Sequence, residues 1–439
     1  MKVSRIFIVL AIVIVSLGYA QTVSAGAFTY TSAYQVQNLD ASTSSIQIDF
    51  YNQDGSKATG TVSDTIGANS SKTYFVVTQL TGSFNGSIVI SSTTQVASIA
   101  NVHANDYFAN ASYVGFTSGS NTVQIPLLMK GNSGFNTWYN IQNTSSSDAT
   151  VNVSYTDGTS VGPYIIKPGA SRTFDQATET HTMAIFAATV TSNQPIAATV
   201  IEENIATMFA YNGFPDGTAK PRMPLINANN SGYTTGISLY NLGSSATTVT
   251  ISYDAALAGT DCTETQTVPA NSFALFALNA FASGASSTCA AGATFIGSGE
   301  VTSNSANNDL VAVVNQHILG KNGEAYGGFD PSIATSTVVF PLIMDRNSGW
   351  WTGLSVTNVG TSSANVTCTF TGTSYTASDS SLAPGESLVD LQNGAISNGY
   401  IGSATCVDAN GGKIVGIVNE LQNGGASDQF MVYEGINTP

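Results

Sequence analysis

Residues 126–143 read PLLMKGNSGFNTWYNIQN, and the same pattern returns as PLINANNSGYTTGISLYN at 224–241 and PLIMDRNSGWWTGLSVTN at 341–358. In all three, a proline lies 17 residues before an asparagine: Asn143, Asn241 and Asn358. Asn38, in Gln35-Val36-Gln37-Asn38, is the matching residue of a first copy. Downstream, Ile46, Ile48 and Phe50 match Val151, Val153 and Tyr155, then Val249, Ile251 and Tyr253, then Val366, Cys368 and Phe370. Polar residues separate them, the two-residue alternation of a strand with one buried face. A turn follows at Gly67-Ala68-Asn69, Pro168-Gly169, Pro269-Ala270-Asn271 or Pro384-Gly385-Glu386. Two further strands come next, as in Gly86–Ile90 and Val96–Ala100. Each copy closes on an aromatic hairpin signal beginning at Tyr113, Tyr211, Tyr326 or Tyr433.

No stretch carries capped helical periodicity. Copies of this length with short strands and Gly/Asn/Ser turns predict an all-β chain of four tandem antiparallel β-sandwich, immunoglobulin-like domains. The expected bounds are 26–121, 122–220, 221–336 (with an inserted disulfide loop) and 337–439, after a signal peptide over 1–25. Lys2 and Arg5 form the positive start of that leader, Ile6 to Leu17 is its apolar run, and Val23-Ser24-Ala25 offers small residues for cleavage. The expected location is extracellular, secreted or at the cell surface, with no membrane span in the mature chain.

Charged residues make up 9 % of the chain, far below the roughly 25 % of an average soluble protein. Ser, Thr, Asn and Gly keep the surface wet instead, which is a poor supply of catalytic acids and bases. The formal charge is −15; removing Lys2 and Arg5 leaves 10 Lys+Arg against 27 Asp+Glu, or −17. Such a surface repels phosphate backbones, so nucleic acid is not an expected partner.

The four cysteines pair by copy. Cys368 takes the inward position of Ile48, Val153 and Ile251, and Cys406 that of Ile90 and Val301. Inward columns on different strands meet in one core, as in immunoglobulin-type sandwiches, which predicts a Cys368–Cys406 disulfide. Cys262 and Cys289 lie in the extra length of the third copy, where a bridge would pin an inserted loop. Zinc is not expected, because no CxxC pair exists.

Catalytic signatures are absent from the sequence: there is no GxSxG elbow, HExxH helix or P-loop. His103 and His317 share a column that continues as Asn204 and Leu421, which suits a strand-end histidine bonded to a turn. Glu202 and Glu203 should face opposite sides of a strand, with Glu202 in a column of Asn101, Asn315 and Asn419. The chain is therefore read as no enzyme and as carrying no cofactor. Calcium is the one ligand that the turns at Asn52-Gln53-Asp54-Gly55, Asp345-Arg346-Asn347 and Asp408-Ala409-Asn410-Gly411-Gly412 come near to suiting. Each lacks the full oxygen spacing of a calcium loop, and ordinary hairpin turns use the same residues. Glycosylation sequons occur at Asn69, Asn85, Asn110, Asn143, Asn152, Asn229 and Asn365. Trp138, Tyr139, Trp350 and Trp351 are candidates for a sugar-stacking platform, although Trp350 shares its column with Phe135 and Tyr233, which favours packing.

Only three Pro-Leu openings serve four copies; the missing one would fall inside the leader, so either the first copy is one strand short or, if that segment closes the preceding sandwich, the last copy is. A sandwich lacking a strand presents an open sheet edge, which another subunit can fill by strand addition, giving head-to-tail assembly. Ala27-Phe28-Thr29-Tyr30 is β-prone and is the expected donor. The tandem Pro-Leu-x-Met, Asn-Ser-Gly-aromatic and Asn-x-Gly units resemble the repeat modules of secreted bacterial cell-surface proteins with immunoglobulin-like domains. That resemblance implies a structural protein, a filament or surface-layer subunit that associates with itself or with other cell-envelope components. The alternative is an adhesin or carbohydrate-binding repeat protein with glycan partners.

Overall fold

A computed structural model describes residues 6–10, 29–104, 109–277, 281, 286–305, 307, 309–318, 321–422 and 428–438. The regular structure of the described residues is antiparallel strand, apart from one helical turn at Val76–Gln79. The chain divides into two compact units, Met1–Pro215 with Ser427–Gln429, and Asp216–Ala426 with Phe430–Pro439. Each holds two copies of the sequence pattern.

One strand order recurs through the copies. In the first, Ile6–Leu10, Gly86–Ser92, Ser44–Asn52 and Val62–Ile66 form one sheet, in that order; Ser71–Phe75, Tyr30–Asn38, Val96–Ala104 and Ala109–Val114 form the other. The third and fourth copies repeat this, with Arg222–Ala228 and Thr337–Asp345 in the opening position. The last strand, Ile436–Thr438, adds outside Thr337–Asp345. In the second copy, two strands that are separate elsewhere run on as Ile185–Glu203, so both sheets share it.

The inward columns read from the alternation are cross-strand neighbours. Ile48 faces Ile90, Val153 faces Val190, Ile251 faces Val301 and Cys368 faces Cys406, all buried. Both expected disulfides form, Cys262–Cys289 and Cys368–Cys406. The second differs from the expected arrangement: it links adjacent strands of one sheet rather than bridging a core between sheets.

The asparagine column explains why the pattern is anchored there. Asn38, Asn143, Asn241 and Asn358 are each fully buried. Their Nδ2 groups donate to the carbonyls of Ser42 (2.7 Å), Ser147 (2.7 Å), Ser245 (2.8 Å) and Ser362 (2.8 Å). Their Oδ1 atoms accept from the backbone N–H of Asp40, Ser145, Gly243 and Gly360 at 2.9–3.1 Å. One amide thus ties a strand end to the loop after it and spares buried backbone groups from going unpaired.

Candidate functional site: the opening-strand position and the paired junctions

Proline lacks an N–H, so a proline inside a sheet marks an edge or a bulge. Pro126, Pro224 and Pro341 each fall in a register break of the opening strand, between Ile125 and Leu128, Met223 and Ile226, and Phe340 and Ile343. Each bulge frees the backbone of the following leucine, and the closing tyrosine takes it up. Tyr326 Oη donates to Leu225 O at 2.6 Å and Tyr433 Oη to Leu342 O at 2.5 Å, while Tyr211 Oη makes the same bond to Leu127 O. The leucine N–H donates back to that hydroxyl at 3.3 Å in all three. Burial raises the pKa of each phenol, so the hydroxyl stays protonated and able to donate.

The first copy departs from this. Its opening position is held by Ile6–Leu10, which runs against Gly86–Ser92 without a bulge, Ile8 opposite Ile90. Tyr113, the matching tyrosine, is 2 % exposed, and its hydroxyl has no partner among the described residues.

Within each unit the two copies meet through the same positions. Ser87 Oγ donates to Gly169 O at 2.6 Å in the first unit, and Ser298 Oγ to Gly385 O at 2.5 Å in the second. Gly169 (φ 74°) and Gly385 (φ 88°) are left-handed turn residues. A Cβ there would stand 2.9 Å from the Tyr51 ring or 2.8 Å from Asp254 Oδ2, on equivalent strand ends of the preceding copy. The same turn position in the first and third copies is Asn69 or Asn271, also left-handed but exposed. Glycine occurs where a neighbouring copy closes over the turn; asparagine, which tolerates this conformation, occurs where the turn faces outward.

The remaining candidates fall as follows. Tyr30 is fully buried in its own strand opposite Ala104, Thr29 precedes it, and Ala27 and Phe28 lie outside the described residues. Of the sequons, Asn69, Asn152 and Asn229 are exposed and Asn85 and Asn365 half-buried; Asn110 and Asn143 are fully buried, which closes them to a glycan in the folded chain. Trp138 and Tyr139 are buried too, so they form no surface platform; Trp350 and Trp351 are partly covered.

The carboxylates of the candidate calcium turns are occupied by hydrogen-bond donors of the chain itself, from within the turns and from distant segments. Asp408 accepts from the N–H of Asn365, Asn410 and Gly412, and Asp345 from Gly394, Ile396 and the Arg346 side chain. Burial alone would raise the Asp345 pKa; these donors outweigh it and hold it below the ordinary value. Asp54 Oδ1 accepts from Ser56 N–H and Oγ–H. Among the described residues no three His, Cys, Asp or Glu side chains gather as a metal site.

The pairing corrects one register. Asn101, Asn315 and Asn419 align with Ile201, not Glu202, and the His103, His317 and Leu421 column continues as Glu203, not Asn204. His103 Nδ1 lies 2.7 Å from Asn110 Oδ1, and burial lowers its pKa to about 4 against the opposing effect of that contact. Glu203 accepts from Trp138 Nε1 (3.1 Å) and from Tyr30 Oη, tying two copies together. No known family model matches the chain, and no curated protein matches it.

Proposed function

We propose that the chain is an exported structural protein of four tandem immunoglobulin-like sandwiches, the subunit of a surface layer or filament, in which a strand from a neighbouring copy completes the first sandwich. The observation that carries this reading is Tyr113. Three equivalent tyrosines each bond a leucine carbonyl on a bulged opening strand, and Tyr113 is buried with no such bond among the described residues. A buried hydroxyl without a partner costs free energy that a correctly placed strand recovers. Ile6–Leu10 belongs to the apolar run read as the export leader, so its removal uncovers the Gly86–Ser92 edge. The two disulfides suit an oxidising, extracellular setting.

Purified protein beginning at Gly26, followed by size-exclusion chromatography and electron microscopy, tests the proposal. Concentration-dependent linear oligomers are expected, absent when the leader is retained. A strict monomer at high concentration would rule out the assembly.

A further inference from the structure

The junctions of the two units are built from equivalent strand positions, but the side chains at several of them differ. In the first unit Trp138, 2 % exposed, fills the junction core beside Met208, set edge-on to Tyr30 with ring centroids 5.6 Å apart. The register makes Gly353 the counterpart of Trp138, since Trp138 faces Asp175 and Ile201 while Gly353 faces Leu391 and Asn419. Likewise Tyr233 answers to Tyr30, Leu421 to Glu203 and Phe430 to Met208. Where the indole stands in one unit, the other has a hydrogen atom.

A cavity of about 350 Å³ opens there, walled by Tyr233, Trp351, Leu391, Leu421 and Phe430. That volume is within the range of small-molecule sites, roughly 300–1,000 Å³. Two amides on its lining are unfinished. Gln316 is fully buried; its Oε1 accepts from Asn227 Nδ2 at 2.7 Å, but its Nε2 has no acceptor among the described residues. Asn419 Oδ1 likewise has no donor among them. An unmet buried amide in a native fold calls for an explanation, and a ligand supplies one.

We infer that this cavity binds a small, neutral aromatic molecule bearing a hydroxyl group. The ring takes the place that Trp138 takes in the first unit. The absence of charge follows from Leu421, which replaces the carboxylate that receives the Trp138 N–H. A phenolic oxygen is an acceptor for Gln316 Nε2 and, through its hydrogen, a donor for Asn419 Oδ1.

Titration of the mature chain with p-cresol, followed by ligand-observed NMR and calorimetry, tests the site. One molecule is expected to bind per chain, with toluene weaker by about tenfold, the worth of one net hydrogen bond. Gly353→Trp should abolish binding by filling the space. Gln316→Leu should reduce the preference for cresol over toluene while leaving the site open, and it remains informative if the tryptophan variant does not fold. No binding of either ligand overturns the inference, as does cresol binding that survives Gly353→Trp or an unchanged preference in Gln316→Leu.

Discussion

Removing one hydroxyl should have opposite effects at equivalent positions of the four copies. In Tyr211→Phe, Tyr326→Phe and Tyr433→Phe, the lost oxygen leaves a leucine carbonyl and a leucine N–H without their partner inside a bulge that the ladder cannot close. Each stranded backbone group costs about 1–3 kcal/mol, so each variant should lose about 3 kcal/mol. In Tyr113→Phe the removed hydroxyl is buried and has no partner among the described residues, so nothing there is stranded. Relief of its desolvation should leave the isolated subunit unchanged or stabilise it by up to about 1 kcal/mol. The same substitution should weaken assembly, because the donated strand loses its anchor. Urea unfolding of the four variants under dilute, monomeric conditions reads the first effect, and sedimentation at high concentration reads the second. Destabilisation of Tyr113→Phe comparable to that of the other three would refute the reasoning, since it would mean the hydroxyl is already satisfied within one chain.

Gly385→Ala should cost at least about 1–2 kcal/mol from left-handed backbone strain, with the approach to Asp254 added; Asn271→Gly, at the exposed counterpart, should stay within about 0.5 kcal/mol in the same denaturation assay. His103 is held neutral by burial, its pKa lowered from 6.5 to about 4. The unfolded chain therefore binds a proton that the folded chain refuses, so stability is full above pH 6.5 and falls between there and pH 4, by on the order of 3 kcal/mol. His103→Gln should flatten that part of the pH profile. Replacing Cys262 and Cys289 with serine opens a loop with a sequence separation of 27 and should cost about 3 kcal/mol on the chain-entropy account, read as an earlier transition of the second unit in calorimetry.

The copies were legible in the sequence wherever one strand face is buried and the other wet. Val151, Val153 and Tyr155 alternate with exposed residues, so their register, and with it the Cys368–Cys406 pair, could be read directly. The stretch from Ile196 to Glu203 is buried on both faces. Alternation vanishes there and a one-residue slip leaves no trace, so the sequence pattern puts Glu202 in a column that belongs to Ile201. The pairing of copies left only a faint signal: glycine at 169 and 385 against asparagine at 69 and 271. A turn residue alone does not reveal whether another copy closes over it. The link between Pro-Leu and the closing tyrosine was visible as two motifs, but their joining by one hydroxyl depends on a bulge that only the pairing defines.

Amide hydrogen exchange across Gly86–Ser92, in protein beginning at Gly26 and compared between dilute and concentrated samples, tests the central claim most directly. Protection of the amides that face the opening-strand position should rise with concentration, while those bonded to Ser44–Asn52 stay protected throughout. Exchange along this edge that ignores concentration, even in samples that form filaments, would contradict strand addition.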